Sequence, residues 1–267
     1  MTLKHYLLAQ IAGEGPITVA EFMRQALLHP EFGYYVTRDP LGQAGDFTTA
    51  PEISQMFGEL IGLCLAQTWM NQGAPTPFTL LELGPGRGTL MQDALRAAKS
   101  AVTAFNPDVF LLEASPTLRA VQARTLDSET PTWITTLTDL PDQPIFLIAN
   151  EFFDALPIRQ FIRADTSWRE VHIGAQAGQL TKGLAPPAPV PALDHMREDT
   201  KDGDLMETCP SLGALLTPIS VRIANQGGAA LIIDYGDWRS LGDTLQALQG
   251  HKPVNPLADP GQADLTA

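Results

Sequence analysis

The stretch Thr79-Leu-Leu-Glu-Leu-Gly-Pro-Gly-Arg-Gly-Thr-Leu-Met-Gln-Asp-Ala-Leu-Arg96 constrains the fold of this 267-residue chain more than any other. Leu80 to Leu83 is an apolar run of buried-strand length. Gly84, Gly86 and Gly88 follow at alternate positions, and then Leu90, Met91, Ala94 and Leu95 recur at helical spacing. The pattern predicts a strand, a tight turn and a helix. Glycine lets the backbone turn sharply and lets a ligand approach with no Cβ in the way. The helix behind the turn offers unpaired N–H groups and a positive dipole end. A plain glycine-rich connection in an α/β protein would look the same, but two acids point to a ligand. Glu82 lies two residues before the first glycine. A second strand, Asp108-Val-Phe-Leu-Leu-Glu-Ala114, closes on Glu113, where an acid holds a ribose diol by two hydrogen bonds.

The spacing selects among nucleotide-like cofactors. A dinucleotide site usually reads GxGxxG, with the pyrophosphate on the helix end. Here it reads GxGxG behind a carboxylate, which would repel a pyrophosphate and suits a ligand with a cationic end. That favours S-adenosylmethionine, with its ammonium, sulfonium, ribose and adenine, over NAD. The cofactor residues expected from this pattern are Glu82, Gly84, Gly86, Gly88 and Glu113, with Ala114 behind it.

The same alternation of strand and helix repeats downstream. A helix is predicted over 117–126, a weak third strand over Thr132-Trp-Ile134, a strong fourth over 144–149 and a fifth over 229–233, preceded by a helix over 211–225. Such spacing means a doubly wound parallel sheet with right-handed crossovers. Before it, residues 2–12 and 18–29 read as helices, the latter with Thr18 and Glu21 at capping-box spacing. Phe32 to Val36 reads as a short strand or packed loop, and Glu52 to Trp69 as one helix. After the fourth strand the pattern changes to a hairpin around Asp165-Thr-Ser167, a further short strand after Gly178, a proline spacer over 186–191 and a charged loop over 194–204. The expected division is a helical region over 1–75, the first part of the cofactor domain over 76–157, a β-rich insertion and linker over 158–210, and the rest of the cofactor domain with its tail over 211–267.

Composition sets outer limits. A hydrophobic content of 44% supports a core, and no apolar run approaches the ~20 residues of a spanning helix, so no membrane insertion is expected. A formal charge of −13 argues against a nucleic-acid partner, because phosphate binding needs clustered Lys and Arg. Cys64 and Cys209 are the only cysteines, so no disulfide framework is implied, and no metal site is read. The N-terminus lacks a signal or transit pattern. The expected compartment is the cytoplasm of a bacterium, or the mitochondrial matrix only if a transit peptide has been removed.

In a doubly wound sheet the ligand lies beyond the carboxyl ends of the strands, so the residue after strand four matters. There Asn150 and Glu151 follow a buried run, with Asp154 one helical turn away if the stretch coils. A helix cap is the alternative, since Asn is a good cap and acids favour a first turn. Capping leaves the aromatic pair Phe152-Phe153 unexplained.

Six segments carry a family resemblance: His29-Pro-Glu-Phe-Gly-Tyr-Tyr35, Gly45-Asp-Phe-Thr-Thr-Ala-Pro-Glu-Ile-Ser-Gln55, Glu82-Leu-Gly-Pro-Gly-Arg-Gly88, Asn150-Glu-Phe-Phe-Asp-Ala-Leu-Pro157, Glu207-Thr-Cys-Pro210 and Leu231-Ile-Ile-Asp-Tyr-Gly236. In order and over nearly the whole chain they resemble the MidA-like family, whose mitochondrial member is an arginine methyltransferase serving respiratory complex I assembly. The resemblance implies a Rossmann-like class I methyltransferase fold, S-adenosyl-L-methionine as cofactor and a protein substrate presenting an arginine, such as a complex I subunit. A guanidinium nucleophile is a cation without a free lone pair, and paired carboxylates can hold it and draw its charge away. Glu151 and Asp154 are the expected pair, with Asp46 as a third acid, and Asn150 at the cofactor. Class I enzymes often carry an acid after strand three to contact adenine. Here only Thr136 and Leu137 are available. The family pattern also continues past Asp259–Ala267, so the closing antiparallel strands of the sheet are expected to be missing. A small-molecule methyltransferase, a non-enzymatic assembly factor that keeps the pocket, and an NAD-linked oxidoreductase are the rival readings.

Overall fold

The structure is a computed structural model and describes residues 1–37, 49–236 and 242–267. In chain order, helices α1 (Leu3–Glu14) and α2 (Val19–Leu28) flank the short strand β1 (Ile17–Thr18), and α3 (Tyr34–Thr37) follows. Next come α4 (Ala50–Ile53), α5 (Gln55–Asn71), β2 (Thr79–Leu83), α6 (Thr89–Ala101), β3 (Asp108–Leu112), α7 (Pro116–Thr125), β4 (Thr132–Ile134) and β5 (Ile145–Asn150). Strands β6 (Arg159–Ala164), β7 (Ser167–Gln176), β8 (Gln179–Leu184) and β9 (Leu205–Thr208) precede α8 (Pro210–Gln226) and β10 (Gly228–Ile233). Strands β11 (Gln246–Gln249), β12 (Lys252–Val254) and β13 (Asp264–Thr266) end the chain.

The described residues fall into two compact units, one within Arg38–Phe153 and Gly213–Tyr235, the other within Met1–Thr37, Asp154–Leu212 and Gly236–Ala267. This differs from the four segments read along the sequence. Helices α1 to α3 and the tail belong with the β-rich insertion, while α4 and α5 belong with the parallel sheet.

The first unit is built on a five-stranded sheet in the order β10-β5-β2-β3-β4, with every pair parallel. It is Rossmann-like: successive strands move outward from β2 through β3 to β4, and the chain then returns to β5 and β10 on the other side. The switch point lies between β2 and β5. All five residues of β2 are buried, as expected of a central strand covered on both faces. Side chains alternate across the sheet. Leu80, Phe146 and Ile148 pack on one face with Leu65 and Trp69 of α5 and Met91 and Ala94 of α6. Leu81, Leu83, Leu147 and Ala149 pack on the other with Leu215, Ile219 and Ile223 of α8. Alternation puts Glu82 on the Leu80 face. Helix α5 lies close on α6 because Gly62 has no side chain: a Cβ there would stand 2.2 Å from the Ala94 carbonyl oxygen. No antiparallel strand joins this sheet among the described residues.

The second unit is antiparallel. Its larger sheet runs β1-β7-β6-β9, with β8 on β7, and Phe161, Trp168 and Leu193 form one of its cores. Thr18 caps α2, accepting a hydrogen bond from the Glu21 amide at 3.1 Å, as the capping-box spacing predicts.

Several expectations are corrected. Tyr34–Thr37 is a helix, not a strand, and its Tyr34 is fully buried. The helix expected from Glu52 onward is broken at Ser54, whose extended backbone caps α5. The charged stretch after the prolines contains a 3-10 helix over Pro191–Met196 and leads into β9. The tail forms its own three-stranded sheet, β12-β11-β13, which the sequence reading did not assign. It is held in part by the Tyr35 hydroxyl, which donates to Asp264 Oδ1 at 2.7 Å.

Candidate active site

Register sets the site. Leu83 pairs with Leu112 of β3 and with Ala149 of β5, and Asn150 pairs with Ile233 of β10. The ends of β2, β3, β5 and β10 therefore open onto one edge, and each delivers a polar group there. The loop after β2 is pinned by its backbone: the Gly84 amide donates to the Leu112 carbonyl at 3.0 Å, and the Gly88 amide donates to the Pro85 carbonyl at 2.7 Å. Gly84, Gly86 and Gly88 have φ of 61°, 52° and 84°, a left-handed region that L side chains enter at a cost. At Gly84 there is a second reason for glycine. A Cβ would lie 2.7 Å from Cδ2 of Phe152. Phe152 stacks edge-on with Phe153 at 5.3 Å, and both pack on the Leu81 face of the core. That contact accounts for the aromatic pair between the acids.

Glu82 is 2% exposed, and its Oε2 has no hydrogen-bond partner among the described residues. Burial pushes its carboxyl up to about 8. An uncompensated buried acid is costly. Set at the end of β2, against the glycine turn, it suits the cationic amino-acid end of S-adenosylmethionine, so the residues present fit that cofactor.

Glu113 is buried, and burial raises its carboxyl above the ordinary range. The Ser115 amide at 2.7 Å and the Gln122 side-chain amide at 3.1 Å both donate to it and oppose the rise. Ala114 beside it is exposed. Arg119 Nε donates to the Glu113 carbonyl at 2.9 Å. Thr136 and Leu137 are differently placed: the Thr136 hydroxyl accepts from the Thr138 amide at 3.4 Å, capping a 3-10 turn, and the Leu137 side chain is committed to the core.

The segment after β5 is not a helix. Asn150 is the last strand residue, and Glu151 takes a left-handed φ of 48°, so neither the helical-turn spacing to Asp154 nor the capping alternative holds. The Glu151 amide instead donates to the Ile233 carbonyl at 2.9 Å, extending the β5–β10 ladder. Its half-buried carboxyl is raised above the ordinary range, first by burial, with the Asn150 side chain opposing the rise and the charge of Asp234 adding to it. Asp154 belongs to the second unit, where its carbonyl accepts from the Ala267 amide at 2.9 Å. Asp46 lies outside the described residues.

Three residues emerge that the sequence reading did not single out. Asp234 directly follows β10 as Glu151 follows β5, and the same rule about strand ends finds it. Glu52, within the Gly45–Gln55 motif, accepts from the Thr89 hydroxyl at 2.7 Å and lies 3.7 Å from Arg87, so its carboxylate sits at the N-terminus of α6, where charge is favourable. Gln122 is fully buried on α7; no sequence signal marks it.

Comparison with known proteins places this geometry. A family model described as "Putative S-adenosyl-L-methionine-dependent methyltransferase" matches residues 60–267. The mitochondrial protein arginine methyltransferase NDUFAF7 of Rattus norvegicus is 40% identical over 292 residues, covering 99% of this chain and 66% of its own. That of Danio rerio is 39% identical, covering 99% and 69%. The chain thus spans about two thirds of the length of these curated relatives. A solved Burkholderia thailandensis protein bound to S-adenosyl-homocysteine has a TM-score of 0.81 at 27% identity, over 99% of this chain and 72% of that one. With the family model covering most of its length and its relatives near 40% identity, the chain belongs to this S-adenosyl-L-methionine-dependent methyltransferase family.

Proposed function

We propose that this chain transfers a methyl group from S-adenosyl-L-methionine to an arginine side chain of a protein. The observation that carries the reading is the pairing of β5 with β10, which sets Glu151 beside Asp234 at the strand edge that also bears the glycine turn. The names of its relatives support the same activity. When bound, the cofactor supplies an electrophilic methyl on a sulfonium. Glu82 and the Gly84–Gly88 turn receive its amino-acid end, Glu113 with Ala114 receives the ribose, and Thr136 and Leu137 flank the adenine through backbone or hydroxyl. Asn150 orients Glu151 toward the site. Glu151 and Asp234 hold the substrate guanidinium and lower the positive charge at its attacking nitrogen. As the attacking nitrogen gains the methyl it must lose a proton, and Glu151 or Asp234 would take that proton and pass it on to water. Catalysis is chiefly alignment of nitrogen and methyl near 3–3.5 Å.

The family resemblance makes a respiratory complex I subunit the first substrate to try, and a bacterial cytoplasm the first compartment. Incubation with methyl-labelled cofactor and cell lysate tests the activity. A labelled protein band that yields methylarginine on hydrolysis is the expected result. Label confined to small molecules overturns the protein substrate, and no transfer at all overturns the enzyme.

A further inference from the structure

Helix α7 carries one side chain that reaches three separate parts of the sheet edge. Gln122 is fully buried. Its Nε2 donates to the Gly86 carbonyl at 2.8 Å and to Glu113 Oε2 at 3.1 Å, and its Oε1 accepts from Trp133 Nε1 at 2.7 Å. The three partners dictate one orientation of the amide. A carbonyl and a carboxylate need donors, and an indole N–H needs an acceptor, so a flipped amide loses all three bonds. Gly86 is the middle glycine of the turn after β2, Glu113 follows β3, and Trp133 lies on β4. One planar group therefore ties the turns after β2 and β3 to strand β4.

Each partner is exacting. The Gly86 carbonyl belongs to a glycine with φ 52°, a residue free to adopt many backbone conformations, so the bond from Gln122 selects one orientation of its peptide. Glu113 is buried and its carboxyl is raised by that burial, and the donors from Ser115 and Gln122 oppose the rise. With these two donors on opposite oxygens, the carboxylate plane is fixed and its remaining lone pairs have set directions. Such networks lose more than one bond's worth when one member is removed.

We infer that Gln122 is the positioning residue of the cofactor site: it fixes the Glu113 carboxylate and the Gly86 peptide relative to one another, so that ribose hydroxyls and the amino-acid end are met together. The inference rests on the reading of Glu113 and the glycine turn as cofactor-binding. Gln122 itself need touch nothing of the ligand.

The test is calorimetric binding of S-adenosylhomocysteine and of its 2′-deoxyribose analogue to the whole chain, for wild type, Glu113→Gln, Gln122→Met and the double variant. Gln122→Met keeps length and apolar bulk but supplies no donor. Gln122→Leu, also without a donor, gives the same readout should the thioether disturb packing, and circular dichroism selects the folded variant. Gln122→Met is expected to weaken S-adenosylhomocysteine by roughly 10-fold or more and to shrink the wild-type preference for the 2′-hydroxyl. The double variant should lose less than the sum of the two single losses, because Gln122 acts in part through Glu113. A Gln122 variant with wild-type affinity and undiminished 2′-hydroxyl preference overturns the inference. So does a double variant whose losses simply add. If Glu113→Gln binds like wild type and wild type ignores the 2′-hydroxyl, the ribose reading itself has failed, and that result is distinct from the other two.

Discussion

The backbone N–H of Glu151 donates to the Ile233 carbonyl at 2.9 Å, one step beyond the last register pair of β5 and β10, Asn150 with Ile233. The bond holds Glu151 at a left-handed φ of 48°, a conformation that costs about 1–3 kcal/mol. A residue kept there needs the neighbouring strand to over-determine it. The side chain could serve as a helix cap only if a helix followed, and none does. Glu151→Gln should therefore keep the fold, the thermal midpoint and the affinity for S-adenosylhomocysteine. Single-turnover methylation should fall by about 10²-fold or more, the scale for loss of an aligned electrostatic group. Normal turnover in that variant would remove Glu151 from the chemistry.

Asp234 raises the Glu151 carboxyl through its charge, although burial is the larger cause. The guanidinium is held by the ionised form, so transfer should fall as pH drops through a value above the ordinary carboxylate range. Asp234→Asn takes away one raising influence and leaves burial. The acidic limb of the pH–rate profile should move toward lower pH while staying above the ordinary range, and the plateau should drop as one of the two carboxylates is lost. A limb that does not move would show that the two acids act independently.

At Gly84 two penalties can be separated. Gly84→Ala places a Cβ at φ 61°, and 2.7 Å from Phe152 Cδ2. The conformational part costs about 1–2 kcal/mol, and the overlap adds to it. In Gly84→Ala with Phe152→Ala the overlap is gone and the backbone cost persists. Chemical denaturation of the four proteins should give a favourable coupling of about 1 kcal/mol between the sites, the scale for residues in contact. Additive losses would mean the ring can swing away freely.

The parallel sheet was legible because its strands are short apolar runs with glycines or acids at their ends, and burial on both faces leaves few other ways to fold them. The placement of Glu82, Glu113 and Glu151 at the ends of parallel strands was legible, because each acid closes or directly follows an apolar run. It was not legible where a residue acts by reaching sideways. Gln122 lies on a helix face that no periodicity distinguishes, and its three partners lie 9 to 36 residues away along the chain. The coil after β5 was misjudged because a left-handed glutamate carries no local signal; only pairing with β10 puts it there. The aromatic run at Phe32–Val36 suits a strand by propensity, yet the buried Tyr34 draws it into a helical turn, a case of tertiary packing overriding a weak preference.

Glu82 offers a test that needs no substrate. Its carboxyl is raised from 4.5 to about 8 by burial, with Oε2 unpartnered among the described residues. In the unfolded chain it ionises near the ordinary value, so folding above that pH must take up a proton or bury a charge. The sign follows: this group imposes no penalty below about pH 4.5, an increasing one as pH rises toward 8, and the full one beyond. Glu82→Gln should match wild-type stability at pH 4 and exceed it at pH 8 by about 2 kcal/mol or more, since each pK unit is worth ~1.4 kcal/mol. Cofactor reverses the balance. An ammonium beside Glu82 favours the ionised form, so binding near pH 7 should expel a proton. Calorimetry in two buffers of different ionisation enthalpy reads that proton directly. Wild type should release close to one per cofactor at pH 7 and almost none at pH 9, where the group is already ionised. Glu82→Gln should release none at either pH and bind more weakly. If wild type binds with no proton release at pH 7, the cationic end of the cofactor lies elsewhere, and Glu82 is a buried acid with a purely structural cost.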